Sequence, residues 1–169
     1  MDRNINAEKR YLWRAESEAG TGELASRLAG LAWPGMTLAL DGELGAGKTR
    51  FAQAFARALG VPGIVNSPTF TIIKEYKGGT LPFYHMDMYR ISSEEAEELG
   101  LDDYFFGDGV TLVEWASRIG PVLPPERLHL HIETVGPVSR MITAIPVGER
   151  YDRLCRDAGM VAAREGSDE

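Results

Sequence analysis

Between Met36 and Leu59 the chain reads MTLALDGELGAGKTRFAQAFARAL, an apolar run, a glycine-rich turn and an amphipathic helix in succession. That order describes a buried strand feeding a helix, the repeating unit of an open α/β sheet. Gly42, Gly47, Lys48 and Thr49 also fill every fixed position of G-x-x-x-x-G-K-[ST], in the strand, loop and helix order a P-loop requires. The glycines allow the backbone N–H groups from Glu43, Leu44, Gly45 and Ala46 onward to curl round an anion, and the new helix adds its positive N-terminal end. The stretch therefore reads as a nucleotide phosphate site, with Lys48 reaching the β- and γ-phosphates and the Thr49 hydroxyl holding Mg²⁺. A plain connecting turn accounts for the glycines but not for Lys48 and Thr49 at the loop mouth. Gly42, Gly45 and Gly47 run G-x-x-G-x-G, which excludes the G-x-G-x-x-G of dinucleotide binders.

The 169 residues, 44% hydrophobic and 25% charged, suffice for one α/β domain with its own core. The expected architecture is a single P-loop NTPase-like domain, a mostly parallel central sheet flanked by helices, with antiparallel hairpin additions. A net charge of −7 and a pI near 5.1 argue against a broad basic face that grips nucleic acid. Any RNA is expected to be held by a partner. Cys155 is the single cysteine, which excludes an intramolecular disulfide framework, and in its charged surroundings it reads as an incidental thiol. No apolar run reaches the length of a membrane span. The start, MDRNINAEKR, lacks an apolar segment of the kind that marks secretion, so a cytoplasmic location is expected.

In chain order, Arg10 to Ala15 reads as a short strand, and Ser17 as the N-cap of a helix from Glu18 to Leu31 with Leu24, Leu28 and Leu31 on one stripe. Met36 to Asp41 is the P-loop strand. Arg50 to Leu59 is the following helix, turning Phe51, Ala54, Phe55, Ala58 and Leu59 toward the sheet. Asn66 to Thr71 is a polar turn before a strand over Ile73 to Tyr76, and Gly78-Gly79 returns the chain through Leu81 to Met88 as its partner. Ser92 or Ser93 caps a short helix whose carboxylates form a solvated face, ended by Gly100. Leu101 to Gly109 reads as an aromatic and acidic loop, Thr111 to Trp115 as a strand ending in an acid, and Leu128 to Thr134 and Met141 to Val147 as a hairpin across Gly136-Pro137. The expected division is a P-loop ATPase domain over 1–148 and a charged C-terminal helix and tail over 149–169, with REGSDE a disordered tip.

Phosphoryl transfer needs a metal, a residue that places the attacking group and stabilisation of charge on the phosphate oxygens. Two acids qualify. Glu114 ends the strand TLVEW, where an acid can reach a metal at the carboxyl ends of parallel strands, and Asp87 lies near the end of YHMDM. The alternative for Asp87 is a capping or turn acid.

GELGAGKT, SPTFT, HMDMYR, GLDDYF and LVEW, in that order and spacing, resemble the TsaE (YjeE) family, small bacterial ATPases of tRNA threonylcarbamoyladenosine biosynthesis. The resemblance runs from about Ser17 to Arg140. It implies ATP and Mg²⁺ as cofactors, TsaD and TsaB proteins as partners, and tRNA contacted only through those partners. It also implies a phosphate loop over Gly42 to Thr49, Mg²⁺ ligands Thr49 and Glu114, and Asp87 acting at the γ-phosphate or its water. Ser67, Pro68 and Thr69 match a switch-like segment, Trp115 the tryptophan beside the acid, Arg140 an arginine that contacts nucleotide, and Ser17 and Thr21 a segment near the adenine. Arg50 stands where the family often has threonine. Ser117 and Arg118 follow Trp115 where it often has a proline, though Ser117 is retained among the nucleotide-binding candidates.

A small P-loop kinase is one rival, but Arg118 and Arg127 are isolated among Pro and Gly rather than grouped in a lid, so no metabolite acceptor is expected. A GTP switch is another, and the chain has neither N-K-x-D nor D-x-x-G. A scaffold with a relic P-loop is disfavoured by Lys48, Thr49 and a strand-end acid together. Apart from Lys48 no cation is strongly placed for the transition state, with Arg90 and Arg140 the available suppliers. Slow hydrolysis by the isolated protein is therefore expected.

Overall fold

The computed structural model describes residues 8–164. One eight-stranded sheet, in the order β3-β4-β5-β2-β6-β7-β1-β8, runs through it. Its strands are β1 Tyr11–Ala15, β2 Thr37–Gly42, β3 Ile73–Tyr76, β4 Phe83–Asp87, β5 Val110–Glu114, β6 Arg127–Thr134, β7 Arg140–Val147 and β8 Val161–Ala162. The helices are α1 Glu18–Gly30, α2 Lys48–Ala58, α3 Ser93–Glu97, α4 Asp102–Phe105 and α5 Glu149–Asp157, with a 3-10 segment over Ala116–Val122. The four central strands β4, β5, β2 and β6 are parallel. Antiparallel strands extend both sides, β3 on β4 and then β7, β1 and β8 beyond β6. The α/β architecture expected from the sequence is thus present as a mixed sheet, parallel at its centre and flanked by helices.

Alternation along the central strands sorts side chains onto two faces. Leu38 and Leu40 of β2, Leu112 of β5 and Phe83 of β4 join α1, α2 and α5 in one cluster. Ala39, Val113 and Met86 face the other way, onto α3, α4 and the 3-10 segment. Parallel register then brings the strand ends level: Leu40 pairs with Glu114, and Glu114 with Asp87. The end of β2, Glu114 and Asp87 therefore meet at one edge of the sheet.

Several local expectations change. α2 begins at Lys48, and the alanines it buries are Ala52 and Ala56; Ala54 is half-buried and Ala58 exposed. Phe51, Phe55 and Leu59 form an i, i+4, i+8 stripe that alanines flank on both sides, so the pattern alone leaves the phase open. The 52/56 flank turns to the sheet, while Ala54 lies against Gly22 of α1. Leu31 falls past the end of α1 and is exposed, unlike Leu24 and Leu28. The expected 101–109 loop contains α4, which buries Leu101 and Phe105. Ser92 is the cap of α3, in a reciprocal capping box with Glu95, an arrangement worth about 1 kcal/mol.

The helix expected from Glu149 is α5, and it belongs to the main core. Tyr151, Leu154 and Cys155 are buried in it, the Tyr151 hydroxyl accepts from the Thr37 N–H at 2.9 Å, and the Tyr11 hydroxyl donates to Asp152 at 2.7 Å. Cys155 is accordingly a core residue and not the tail thiol expected, and burial, with the Asp152 charge adding to it, pushes its thiol up to about 12. Beyond α5 the chain adds β8 to the sheet edge, a strand too short for pattern reading. Of the expected tip REGSDE, residues 165–169 lie outside the described residues, as do 1–7.

Candidate functional site

The loop from Glu43 to Gly47 joins β2 to α2, and two glycines explain its path. A Cβ on Gly42 would stand 2.6 Å from the Ile132 carbonyl oxygen on β6, so only hydrogen allows this approach. Gly47, the N-cap of α2, has φ +112, a left-handed conformation that other residues adopt at a cost. The first-turn N–H groups of Lys48 and Thr49 have no carbonyl of their own helix to bond and face the loop mouth. This is the geometry of an anion site.

Lys48 is 5% exposed. Its Nζ donates to the carbonyl oxygens of Gly42 at 2.6 Å and Glu43 at 3.0 Å and lies 4.1 Å above the Trp115 ring. Burial lowers its affinity for a proton, and the carboxylates of Glu114, Asp41 and Asp87 partly offset that. The backbone of Trp115 is itself left-handed there, φ 58. The cation is thus confined at the loop with a π face beneath it.

Glu114 is buried at 2% exposure. Its Oε1 accepts from the Thr49 hydroxyl at 3.3 Å, and its Oε2 lies 2.6 Å from His85 Nε2. Among the described residues no group of three His, Cys, Asp or Glu side chains could hold a metal unaided. A hydroxyl and one carboxylate side by side at a phosphate loop is instead the hard-oxygen pair that suits Mg²⁺, which takes its other ligands from phosphate and water. Those residues fit a metal that arrives with a nucleotide.

Asp87 serves three neighbours at once. Oδ2 accepts from the Ser67 and Thr69 hydroxyls at 3.2 and 3.3 Å, and Oδ1 accepts from the Tyr89 N–H at 2.9 Å. The second contact is the turn role considered as the alternative; the first ties the SPTFT segment to the strand end. Pro68 is buried between them, while Phe70 is 83% exposed. The segment closes on Ile72, whose N–H donates to Pro68 at 2.7 Å with φ +71. For a β-branched residue this backbone is strained, by about 1–3 kcal/mol. A cleft of about 390 Å³ opens among Lys48, Thr49, Ser67, Asp87, Glu114 and Trp115. A larger groove of about 590 Å³ between α1 and α2 gathers none of these acids and lacks Lys48.

Residues 15–142 match the family model described as threonylcarbamoyl adenosine biosynthesis protein TsaE. The chain belongs to the TsaE family. It is 52% identical over 149 residues to the TsaE protein of Bacillus subtilis, covering 88% of this chain and 94% of that one. The TsaE protein of Streptomyces coelicolor is 40% identical over 137 residues, 76% of this chain and 92% of its own. The crystal structure of Bacillus subtilis YdiB superposes with a TM-score of 0.81 at 47% identity, covering 90% of this chain and 96% of that one.

In this TsaE family member the remaining expected residues divide. Arg140 donates through Nε to the Ala46 carbonyl at 2.9 Å and through Nη1 to Ser139 at 2.9 Å, bracing the β6–β7 hairpin against the phosphate loop. It borders a small cleft of about 70 Å³ with Thr21, Glu18, Gly45 and Arg50, and Arg50 pairs with Glu18 at 3.1 Å. Ser17 lies outside that cleft; it caps α1 without a side-chain bond. Ser117 donates both its N–H and its hydroxyl to Asp41 Oδ1, at 3.1 and 2.9 Å, and Arg118 lies over the Tyr89 ring at 5.2 Å. Arg90 sits over Phe70 at 4.9 Å.

Asp41 and His85 are the residues that sequence reasoning passed over. Each is a polar side chain inside an otherwise apolar strand, which was the available signal. Asp41 also accepts from His129 Nε2 at 2.9 Å. Burial works to raise its pKa, but the bonds from His129 and Ser117 outweigh it and hold the carboxyl below 3.8. A depressed carboxyl stabilises the fold above its unfolded value, and that contribution disappears as pH falls through the folded value. The melting-temperature advantage of wild type over Asp41→Asn is therefore expected to be full at neutral pH and to shrink below about pH 4, as checked by thermal unfolding across a pH series.

Proposed function

We propose that this TsaE family protein binds ATP with Mg²⁺ in the cleft and hydrolyses it as the ATPase component of tRNA threonylcarbamoyladenosine biosynthesis, in complex with TsaD and TsaB proteins. The observation that carries the reading is the convergence of Lys48, Thr49, Glu114 and Asp87, from three different elements, on one cleft at the carboxyl ends of parallel strands. Lys48 and the first turn of α2 receive the terminal phosphates, Thr49 and Glu114 hold the metal, and Asp87 orients the attacking water. The metal, when bound, neutralises charge on the phosphate oxygens. The cleft beside Thr21 and Arg140 accepts the rest of the nucleotide. The relatives' role in making threonylcarbamoyladenosine, and an acidic chain unsuited to gripping RNA directly, support a motor-like part that leaves tRNA to its partners.

The site also supports slow hydrolysis in isolation. Lys48 is occupied by loop carbonyls, Arg140 braces the loop through its own bonds, and Arg90 rests on the exposed Phe70. A well-placed arginine is worth roughly 10³ to 10⁵ in rate. Steady-state ATP turnover is expected to rise at least about tenfold on adding TsaD and TsaB, or about 1.4 kcal/mol of barrier. Equal rates for the lone protein and the assembly refute the dependence on partners, and failure to bind ATP in preference to GTP refutes the nucleotide assignment.

A further inference from the structure

His85 lies midway along β4, one strand in from the sheet edge, with no exposed surface, between side chains that are apolar or aromatic. Its ring stacks on Phe83, centroids 5.8 Å apart and planes 24° apart, and Phe83 is itself packed on Phe55 and Tyr76. The ring is therefore fixed in plane. One nitrogen, Nε2, stands 2.6 Å from Glu114 Oε2; the other, Nδ1, is buried without a partner. A carboxylate oxygen accepts, so Nε2 carries the proton of this bond and acts as its donor. Packing alone does not account for an imidazole here, because an apolar side chain would fill the space without an orphaned nitrogen.

Resting on the ATPase reading, we propose that His85 is a positioning residue that makes Glu114 a one-oxygen metal ligand and so biases the site toward Mg²⁺. By holding Oε2, His85 leaves Oε1 to face the metal; Oε1 is 3.3 Å from the Thr49 hydroxyl and Oε2 3.5 Å. Mg²⁺ demands compact octahedral geometry and takes carboxylates through single oxygens, whereas Ca²⁺ accepts two-oxygen carboxylates at longer distances. With Oε2 released, the carboxylate is free to rotate and offer both.

The test uses the full chain and a fluorescent ATP analogue, titrated with Mg²⁺ or Ca²⁺, in wild type, His85→Leu and His85→Gln. Loss of an outer-shell partner typically lowers metal affinity about 10- to 100-fold. His85→Leu is expected to lose Mg²⁺ affinity on that scale, to retain analogue affinity in EDTA and to shift its preference toward Ca²⁺. His85→Gln, whose amide N–H reaches the Nε2 position, is expected to recover most of both. A folded His85→Leu with wild-type Mg²⁺ affinity and wild-type Mg²⁺ to Ca²⁺ preference overturns the inference. If that variant does not fold, ¹⁵N spectra of the wild-type histidines decide: a proton on Nε2 of His85 supports it, and a proton on Nδ1 with Nε2 bare overturns it. Wild-type protein lacking metal-dependent analogue binding overturns the ATPase reading, and this inference with it.

Discussion

Lys48→Ala is expected to lower ATP turnover by roughly 10² to 10³, the scale of removing one preorganised donor from a developing charge, and to weaken ATP binding, with little loss of thermal stability. The two effects separate because of where the ammonium sits. It is almost fully buried, and that burial works against its charge, so its removal relieves a desolvation cost while leaving the Gly42 and Glu43 carbonyls without their donor. These contributions oppose each other in the fold. On the proposed nucleotide reading no such cancellation operates at the phosphates, where Lys48 is the one strongly placed cation among the described residues. Paired measurements of melting temperature, ATP affinity and turnover check this; unchanged affinity and turnover in a folded variant would falsify the assignment of Lys48.

The parts of this site that sequence exposes are those built from consecutive residues. The phosphate loop is legible because its defining residues, Gly42 to Thr49, are consecutive, although β6 and Arg140 also hold it in place. Glu114 is legible because a carboxylate at the end of an apolar strand is costly to bury unless a cation or a donor meets it there. Asp41 and His85 were on view but mute. Their partners lie far along the chain, Ser117 and His129 for one and Glu114 for the other, and only the order β4-β5-β2-β6 brings them within reach. Elements such as α4 and β8 escaped for a different reason: four and two residues are too few to show a period. Ser17 illustrates the converse, since a plausible cap residue carries no information about which neighbour faces the cleft, and here Glu18 and Thr21 do.

Asp87 and Glu114 pair in register yet are expected to fail in different ways. Glu114→Ala removes the carboxylate beside Thr49, so nucleotide binding should lose its dependence on Mg²⁺. Asp87→Ala leaves that pair intact, and nucleotide should still bind with metal, while turnover within the partner complex falls by roughly 10² to 10⁴, the range for a group that places or accepts a proton. Asp87 also anchors Ser67 and Thr69, and a loosened segment could by itself slow the reaction. Asp87→Asn separates the two causes, because with its amide oxygen turned to Ser67 and Thr69 it still accepts from both hydroxyls, losing only the acceptor for the Tyr89 N–H, whereas its charge and basicity are gone. If placing water needs the carboxylate, Asp87→Asn is as slow as Asp87→Ala; if tethering is the whole contribution, Asp87→Asn turns over near the wild-type rate. Normal turnover in Asp87→Ala within the complex removes Asp87 from the chemistry altogether.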